Sequence, residues 1–201
     1  MAHPRVSLDL SRHGGGEEEP PTQPLFLYDL ASPACYLAAE RVLHALPVLA
    51  EWQPVHLPEA CAEELDRAGL ERRAAAQGLQ PVRWPGTWPP DSALAMLAAT
   101  YAKQIGRAVA FSQAAFRQAF AGGRELADPD TVLIAGAACE MHPAALLKSA
   151  ELRSVRAALA RASDAARAAG VSALPAIQLP GGELFQGTEA LDAAAGALAA
   201  A

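Results

Sequence analysis

An apolar run that passes directly into a Ser-Pro helix start constrains the fold of this chain more than any other feature. The run Leu25–Leu30 has the length and the apolar, aromatic composition of a buried strand. Ser32 and Pro33 follow it as a helix N-cap and a first helical residue, which predicts a strand, a tight turn and a helix. A second apolar run, 52–57, comes after that helix. The segment therefore predicts a right-handed βαβ unit with two parallel strands.

The rest of the chain divides into a helical block and a second strand-containing segment. Alanine-rich stretches separated by glycines and prolines predict helices over 58–150, the first of them a single helix over 60–77. Two short apolar runs, 176–179 and 183–186, flank a Gly-Gly pair and predict a hairpin before a final helix. This order of elements predicts an α/β protein with a thioredoxin-like fold and an all-helical insertion.

These elements divide the chain into three parts. Residues 24–57 and 151–201 are predicted to form the thioredoxin-like domain, and 58–150 the helical insertion. Residues 1–23 contain consecutive glycines, glutamates and prolines, a composition that favours a flexible tail. The alternation of Val6, Leu8 and Leu10 leaves a short edge strand open there. We expect the tail to be dispensable for folding.

Composition and charge exclude several classes of function. The chain has 201 residues and a formal net charge of −6, which argues against binding to a phosphate backbone. No stretch approaches the roughly 18 apolar residues that a membrane-spanning helix needs, and no secretory signal is visible at the N-terminus. The cysteines and histidines lack the spacing of metal ligands, and an odd number of cysteines suits a reducing compartment. We expect a cytoplasmic protein without a metal, nucleic-acid or membrane partner.

Several segments together resemble one known superfamily. The stretch YDLASPACYLA, residues 28–38, resembles the strand–turn–helix of the DsbA superfamily. The similarity is greatest to the branch that contains 2-hydroxychromene-2-carboxylate isomerases and kappa-class glutathione transferases, which have Ser-Pro rather than Cys-Pro at the helix start. The segments GVSALP (170–175) and LFQGTE (184–189) and the Trp-Pro loop of 81–90 resemble the same families. The resemblance spans about residues 25 to 198 and implies a thiol-dependent enzyme.

The resemblance implies that Ser32 activates a bound thiol, which in the related enzymes belongs to glutathione. A hydroxyl at a helix N-cap lies beside unpaired backbone N–H groups and can donate a hydrogen bond to a thiolate there. The alternative is that Ser32 only caps the helix. Cys35 stands where a Cys-x-x-Cys enzyme has its second cysteine, but serine at position 32 prevents a disulfide between the two. Cys35 is therefore either a catalytic monothiol or a buried small residue, and Cys61 and Cys139 are expected to be structural.

The same resemblance assigns further residues to the binding of the thiol cofactor. It implies a cis peptide bond at Leu174–Pro175, opposite Ser32 and Pro33, which exposes backbone groups to a peptide-like ligand. A trans proline at a strand start is the alternative. Thr188 and Glu189 open the last helix, where related transferases hold the γ-glutamyl end of glutathione, although Thr188 can also be a plain N-cap. Glu189 stands where Asp is usual and Ala190 where Arg is frequent, so the cofactor is glutathione or another low-molecular-weight thiol.

Two tryptophans complete the candidate site residues. Trp84 and Trp88 lie in the proline-rich loop, where they either line an aromatic substrate pocket or pack over the core. Three functions follow from these residues. The first is an enzyme that uses a bound thiol for redox, transfer or isomerisation chemistry on a small-molecule substrate. The second is a disulfide oxidoreductase that acts through Cys35, and the third is a non-catalytic binding module. The sequence leaves a homodimer open.

Overall fold

A four-stranded sheet organises the fold. The computed structural model describes residues 22–61 and 66–200, so nearly all of the predicted tail lies outside the described residues. Parallel pairing joins β2 to β1, whereas β3 runs antiparallel to β1 and β4 antiparallel to β3. The sheet order is β2-β1-β3-β4, which confirms the predicted thioredoxin-like topology. The strands are β1 (Leu25–Tyr28), β2 (Glu51–Pro54), β3 (Ala176–Gln178) and β4 (Leu184–Gln186).

Helices cover both faces of this sheet. Helices α1 and α8 contact each other, and α8 also contacts β3 and β4, whereas α3 and α7 contact each other and β2. None of the helices within 22–61 and 66–200 combines the length and apolarity needed to cross a bilayer. The helices are α1 (Pro33–Ala45), α2 (Arg67–Ala76), α3 (Ala93–Gln104), α4 (Ala108–Phe120), α5 (Pro129–Ala137), α6 (Pro143–Ser149), α7 (Arg153–Ala168) and α8 (Ala190–Ala200), and Pro58–Cys61 forms a 3₁₀ helix.

The prediction of a single helix over 60–77 is wrong. The backbone of Asp66 has φ −73° and ψ 78°, outside the helical region, and its side chain accepts a hydrogen bond from the Gly69 N–H at 2.8 Å. Asp66 is therefore the N-cap of a new helix, α2, rather than an interior residue. Because the helical backbone is interrupted at Asp66, α2 is a separate helix, and it packs against α1.

The first two strands are shorter than predicted. β1 ends at Tyr28 instead of Leu30, because the next residue, Asp29, turns the chain and accepts a hydrogen bond from the Ala31 N–H at 2.9 Å. β2 ends at Pro54 instead of Leu57, because its partner β1 ends at Tyr28, whose carbonyl accepts the last hydrogen bond of the pair from the Val55 N–H at 3.0 Å. Both truncated ends lie beside the start of α1.

An aromatic cluster holds the sheet to the insertion. The rings of Phe26 and Tyr28 contact Trp52, with centroid separations of 4.9 and 5.6 Å. The Tyr28 hydroxyl lies 2.6 Å from the hydroxyl of Ser112 on α4, and its ring lies 5.9 Å from that of Phe116. These buried contacts fix β1, and with it the turn that starts α1, against α4.

Candidate active site

Ser32 caps α1 at the carboxyl end of β1. Its side-chain Oγ accepts a hydrogen bond from the backbone N–H of Cys35 at 3.2 Å, and Pro33 occupies the first helical position. The predicted N-cap is therefore present. This bond uses an oxygen lone pair and leaves the hydroxyl hydrogen available to a ligand. Although only 3% of Ser32 is exposed, it contributes to the wall of a cavity.

The cavity at Ser32 has a volume of about 470 Å³. Its walls come from parts of the chain that are far apart in sequence: the start of α1, the 3₁₀ helix, α2, the loop before β3 and the turn before α8. It brings together five of the predicted site residues, namely Ser32, Pro33, Leu174, Thr188 and Glu189. The remaining lining residues are Ala34, Ala60, Cys61, Asp66, Gly69, Leu70, Arg73, Ala173, Gln186 and Gly187.

The loop before β3 forms the wall opposite α1. The Leu174–Pro175 peptide bond is cis. Pro175 itself is buried and is not among the lining residues, whereas Leu174 is. Gln186 holds this loop, since its Oε1 accepts hydrogen bonds from the N–H groups of Ser172 at 2.7 Å and Ala173 at 3.1 Å. Gln186 lies within the LFQGTE segment, but its contact with this loop was not predicted.

The turn before α8 requires a glycine. Gly187 has φ +81°, in the left-handed region, and its N–H donates to the Pro175 carbonyl at 2.9 Å. The turn therefore couples the end of β4 to the loop before β3. Thr188 and Glu189 follow directly and are exposed at the cavity.

An ion pair that was not predicted from the sequence lies in the lining of the cavity. The Arg73 guanidinium on α2 lies 2.7 Å from Oε1 of Glu189. Both residues also line an adjoining cavity of about 230 Å³ between α1, α2 and α8. Arg41 and Asp192, which form a second ion pair between α1 and α8, line that adjoining cavity as well.

A buried carboxylate lies directly behind the turn that carries Ser32. Asp29 is fully buried and accepts hydrogen bonds from the N–H groups of Ala31 at 2.9 Å and Leu57 at 3.1 Å and from the Ser92 hydroxyl at 2.6 Å. Its Oδ2 also lies 3.2 Å from Nδ1 of His56. The hydrogen bond that His56 donates to Asp29 when protonated raises the pKa of His56 above its usual value. Asp29 thus connects the turn by hydrogen bonds to the segment after β2 and to the start of α3.

The cysteines occupy three different environments. Cys35 is completely buried, and burial raises the pKa of its thiol to about 12, an effect that the nearby Ser32 hydroxyl only partly offsets. Cys61 is partly exposed and lines the cavity, and burial raises its pKa as well. Cys139 is buried in the helical insertion. The cysteine that lines the cavity is therefore Cys61, which was expected to be structural, and not Cys35.

Trp84 and Trp88 pack against each other away from this cavity. Their ring centroids are 5.5 Å apart, and the Arg67 guanidinium lies 4.8 Å and 5.4 Å from them. The Trp84 indole N–H donates to the Glu71 carboxylate at 2.7 Å. Neither ring belongs to the lining of the cavity at Ser32. Both rings pack against the core, with 6.4 Å between the ring centroids of Trp84 and Phe120, which agrees with the alternative that they pack over the core. A role of these rings in binding substrate stays a prediction.

Comparison with known proteins identifies the family. A family model, described as the DSBA-like thioredoxin domain, matches residues 25–199. The chain belongs to this family. No curated protein matches the DSBA-like chain in sequence. Among the described residues, no group of three or more His, Cys, Asp or Glu side chains is arranged to hold a metal ion.

Solved structures share the DSBA-like fold over most of the chain. A 2-hydroxychromene-2-carboxylate isomerase aligns with a TM-score of 0.74 at 17% identity, covering 88% of this chain and 94% of that one. A probable DsbA oxidoreductase from Streptomyces coelicolor aligns with a TM-score of 0.70 at 18% identity, covering 88% of each chain. The cytosolic disulfide reductase DsbM from Pseudomonas aeruginosa, solved with GSH, aligns with a TM-score of 0.55 at 19% identity, covering 78% of this chain and 85% of that one.

Proposed function

We propose that this DSBA-like protein binds a low-molecular-weight thiol of the glutathione type in the cavity at Ser32 and uses it to act on a small substrate. The observation that carries the proposal is that the Ser32 hydroxyl, at the N-terminus of α1, borders a cavity of about 470 Å³. The loop at Ala173 and Leu174 and the charged pair Arg73 and Glu189 border the same cavity. A short peptide with a thiol has a sulfur for the Ser32 hydroxyl, a backbone for the loop at Ala173 and Leu174, and charged ends for Arg73 and Glu189.

The start of α1 favours the ionised form of a bound thiol. Unpaired N–H groups and the helix dipole stabilise negative charge there. A hydrogen bond to a charged group contributes about 1.5 to 3 kcal/mol, and each 1.4 kcal/mol is about a factor of ten in an equilibrium constant. The hydroxyl of Ser32 therefore has the strength to lower the pKa of a bound thiol by roughly 1 to 2 units.

A bound thiolate can carry out more than one class of reaction. It can attack an electrophilic carbon of a small substrate, or it can attack one sulfur of a disulfide. In the second case a new S–S bond forms, the old one breaks, the other sulfur leaves as a thiolate, and a second thiol molecule then releases the product. The similar structures include an isomerase and a disulfide reductase, and DsbM was solved with GSH.

The alternative of a monothiol enzyme acting through Cys35 has less support. Its thiol is completely buried and its pKa is raised to about 12, so little thiolate forms at neutral pH and no substrate reaches it. A bound thiol avoids both difficulties, because it enters the cavity from solvent. A cytoplasmic location agrees with this proposal, since DsbM is described as cytosolic and a reduced thiol pool is needed.

Binding of reduced glutathione, followed by calorimetry and by the ultraviolet absorbance of the thiolate, tests the proposed function. We expect glutathione to bind with a lowered thiol pKa, whereas S-methylglutathione, which has no ionisable thiol, binds more weakly. The Asp128→Ala variant, which loses the N-cap of α5 far from the cavity in sequence, is the control for general destabilisation. If the parent protein binds neither glutathione nor another small thiol, the proposed function is wrong.

A further inference from the structure

A separate cavity of about 420 Å³ lies between the sheet and helices α3 and α7. On β1 it is lined by Leu25 and Leu27, at the start of the strand, whereas Ser32 follows the carboxyl end of that strand. None of its described lining residues borders the cavity at Ser32 or the adjoining cavity between α1, α2 and α8. This cavity is therefore distinct from the candidate active site, and the proposed function gives it no role.

An alanine face on α7 leaves this space open. It consists of Ala158, Ala162, Ala165 and Ala166, which recur at helical spacing along one side of the helix. Because each alanine contributes only a methyl group, α7 contacts α3 and β2 without filling the space in front of β1. The buried side chain of Leu27 borders the same space from the sheet. The cavity thus has aliphatic walls on the sheet and on α7.

Lys103 on α3 is one of two cations in the lining. Its Nζ lies 2.5 Å from Oε1 of Glu51 on β2, and it also donates to the side-chain amide oxygen of Gln53. An ammonium group has three N–H donors, of which these contacts use two. Lys103 therefore offers a ligand one hydrogen-bond donor, while Glu51 already balances its charge.

Arg161 on α7 is the other cation, and its charge is not balanced. It forms no ion pair with any residue of 22–61 or 66–200. Asp164, which lies one turn further along α7, pairs with Arg167 at 3.3 Å instead. The side-chain amides of Gln104 and Gln178 also border the cavity, and none of its described lining residues is acidic. The lining therefore favours one negative charge.

We propose that this cavity binds a small monocarboxylate with a saturated aliphatic chain, independently of any thiol at Ser32. The Arg161 guanidinium binds the carboxylate through two parallel hydrogen bonds, with Lys103 as a further donor. The chain lies between Leu27 and the alanine face of α7. A volume of about 420 Å³ is within the range of small-molecule sites. The described lining side chains include no aromatic ring for stacking, so a flexible aliphatic chain suits the walls better than a ring.

Three probes with the same chain length separate the charge from the chain. Octanoate is an anion, 1-octanol is neutral and octylammonium is a cation, and calorimetry gives the affinity of the full-length protein for each. Hexanoate, which is two methylenes shorter than octanoate, tests the aliphatic walls. Arg161→Gln removes the unbalanced charge. Arg153→Gln is the matched control, because Arg153 is exposed on the same helix but does not line the cavity.

The parent and Arg153→Gln should bind octanoate at least about tenfold more tightly than 1-octanol, the size of one hydrogen bond to a charged group, and octylammonium should bind most weakly. Each methylene should add about fourfold to the affinity, so hexanoate binds more weakly than octanoate. Arg161→Gln should lose most of the preference for octanoate and keep its affinity for 1-octanol within about twofold. Ala162→Leu, which puts a larger side chain into the cavity, should weaken all the probes. Thermal unfolding verifies that each variant is folded.

Other outcomes overturn this inference. It is wrong if the parent does not bind octanoate, if octanoate and 1-octanol bind equally, or if chain length has no effect. It is also wrong if Arg161→Gln keeps the parent's ratio of affinities, and this comparison decides the matter if Ala162→Leu does not fold. If glutathione displaces octanoate, or if Ser32→Ala abolishes its binding, octanoate occupies the cavity at Ser32 instead. That result refutes the inference and leaves the proposed function untouched.

Discussion

Asp29 and His56 form a hydrogen-bonded pair directly behind the turn that carries Ser32, with 3.2 Å between Oδ2 and Nδ1. The carboxylate is fully buried, whereas about a third of the imidazole is exposed. Asp29 also binds the Leu57 N–H and the Ser92 hydroxyl. One side chain thus connects the turn before α1 to the segment after β2 and to the start of α3.

The stability of this arrangement depends on pH through His56. The hydrogen bond to Asp29 raises the pKa of His56 in the folded protein above its unfolded value of about 6.5. The protonated imidazole therefore contributes stability that is fully present below about pH 6.5 and is lost as the pH rises through the raised pKa. We expect the difference in unfolding free energy between the parent and His56→Gln to shrink over that range in urea denaturation. The exposed His142, changed to Gln, is the control. A difference that does not vary with pH would contradict this role.

Ser32→Ala should weaken thiolate binding much more than folding. Loss of an N-cap costs about 1 kcal/mol of a stability that is typically about 5 to 15 kcal/mol, so the variant remains folded. Loss of a hydrogen bond to a charged sulfur costs about 1.5 to 3 kcal/mol, so the affinity for glutathione falls about tenfold or more. Calorimetry of the parent, Ser32→Ala and Asp128→Ala measures this effect. Unchanged affinity in Ser32→Ala would exclude an activating hydroxyl.

Ser32→Cys should convert the site to a dithiol. The new thiol lies at the helix N-terminus, where a thiolate is favoured, and the Ser32 side chain already contacts the Cys35 backbone at 3.2 Å. We expect a disulfide between positions 32 and 35 under mild oxidation, detected by mass spectrometry, and a gain of insulin-reducing activity. The double variant Ser32→Cys, Cys35→Ser is the control and gains neither. Absence of the disulfide would show that the Cys35 thiol does not face position 32.

Cys61 should react first with an alkylating reagent in the folded protein. It is partly exposed in the cavity, whereas Cys35 and Cys139 are buried. Because burial raises the pKa of Cys61, the reaction is slow at neutral pH and accelerates as the pH rises. Saturating glutathione slows it, since both occupy the same cavity. Peptide mapping after iodoacetamide treatment, with Cys61→Ala as control, measures the order. Equal labelling of Cys35 would show that α1 opens on the same timescale.

The parts of the fold that depend on local signals were predictable. The N-cap at Ser32 followed by Pro33, and the Gly-Gly turn between β3 and β4, are set by neighbouring residues, so the βαβ unit and the hairpin were expected. The break at Asp66 was missed because the alanine-rich segment has high helix propensity throughout. The signal that opposes a continuous helix is the Asp66 side chain, which accepts a hydrogen bond from the Gly69 N–H.

The contacts that complete the site could not be predicted from one sequence. Arg73 and Glu189 are 116 residues apart and Asp29 and Ser92 are 63 apart, and no local pattern indicates that either pair meets. For Trp84 and Trp88 the sequence left open a substrate pocket or packing over the core, and no local pattern indicates that Arg67 lies over both rings. Long-range pairing of charges depends on how the insertion packs against the domain, which only the folded chain determines.

The walls of the cavity come from segments that are far apart in the chain, which links ligand binding to the completion of folding. A chain that has formed its sheet but has not yet packed α2 against α1 has Ser32 in place but lacks the wall that Leu70 and Arg73 supply. Only the fully assembled molecule binds tightly, so by mass action a bound ligand stabilises that molecule against partly folded forms. Amide hydrogen exchange in α2 should therefore slow with ligand concentration, which makes this helix, itself one wall of the cavity, a reporter of occupancy.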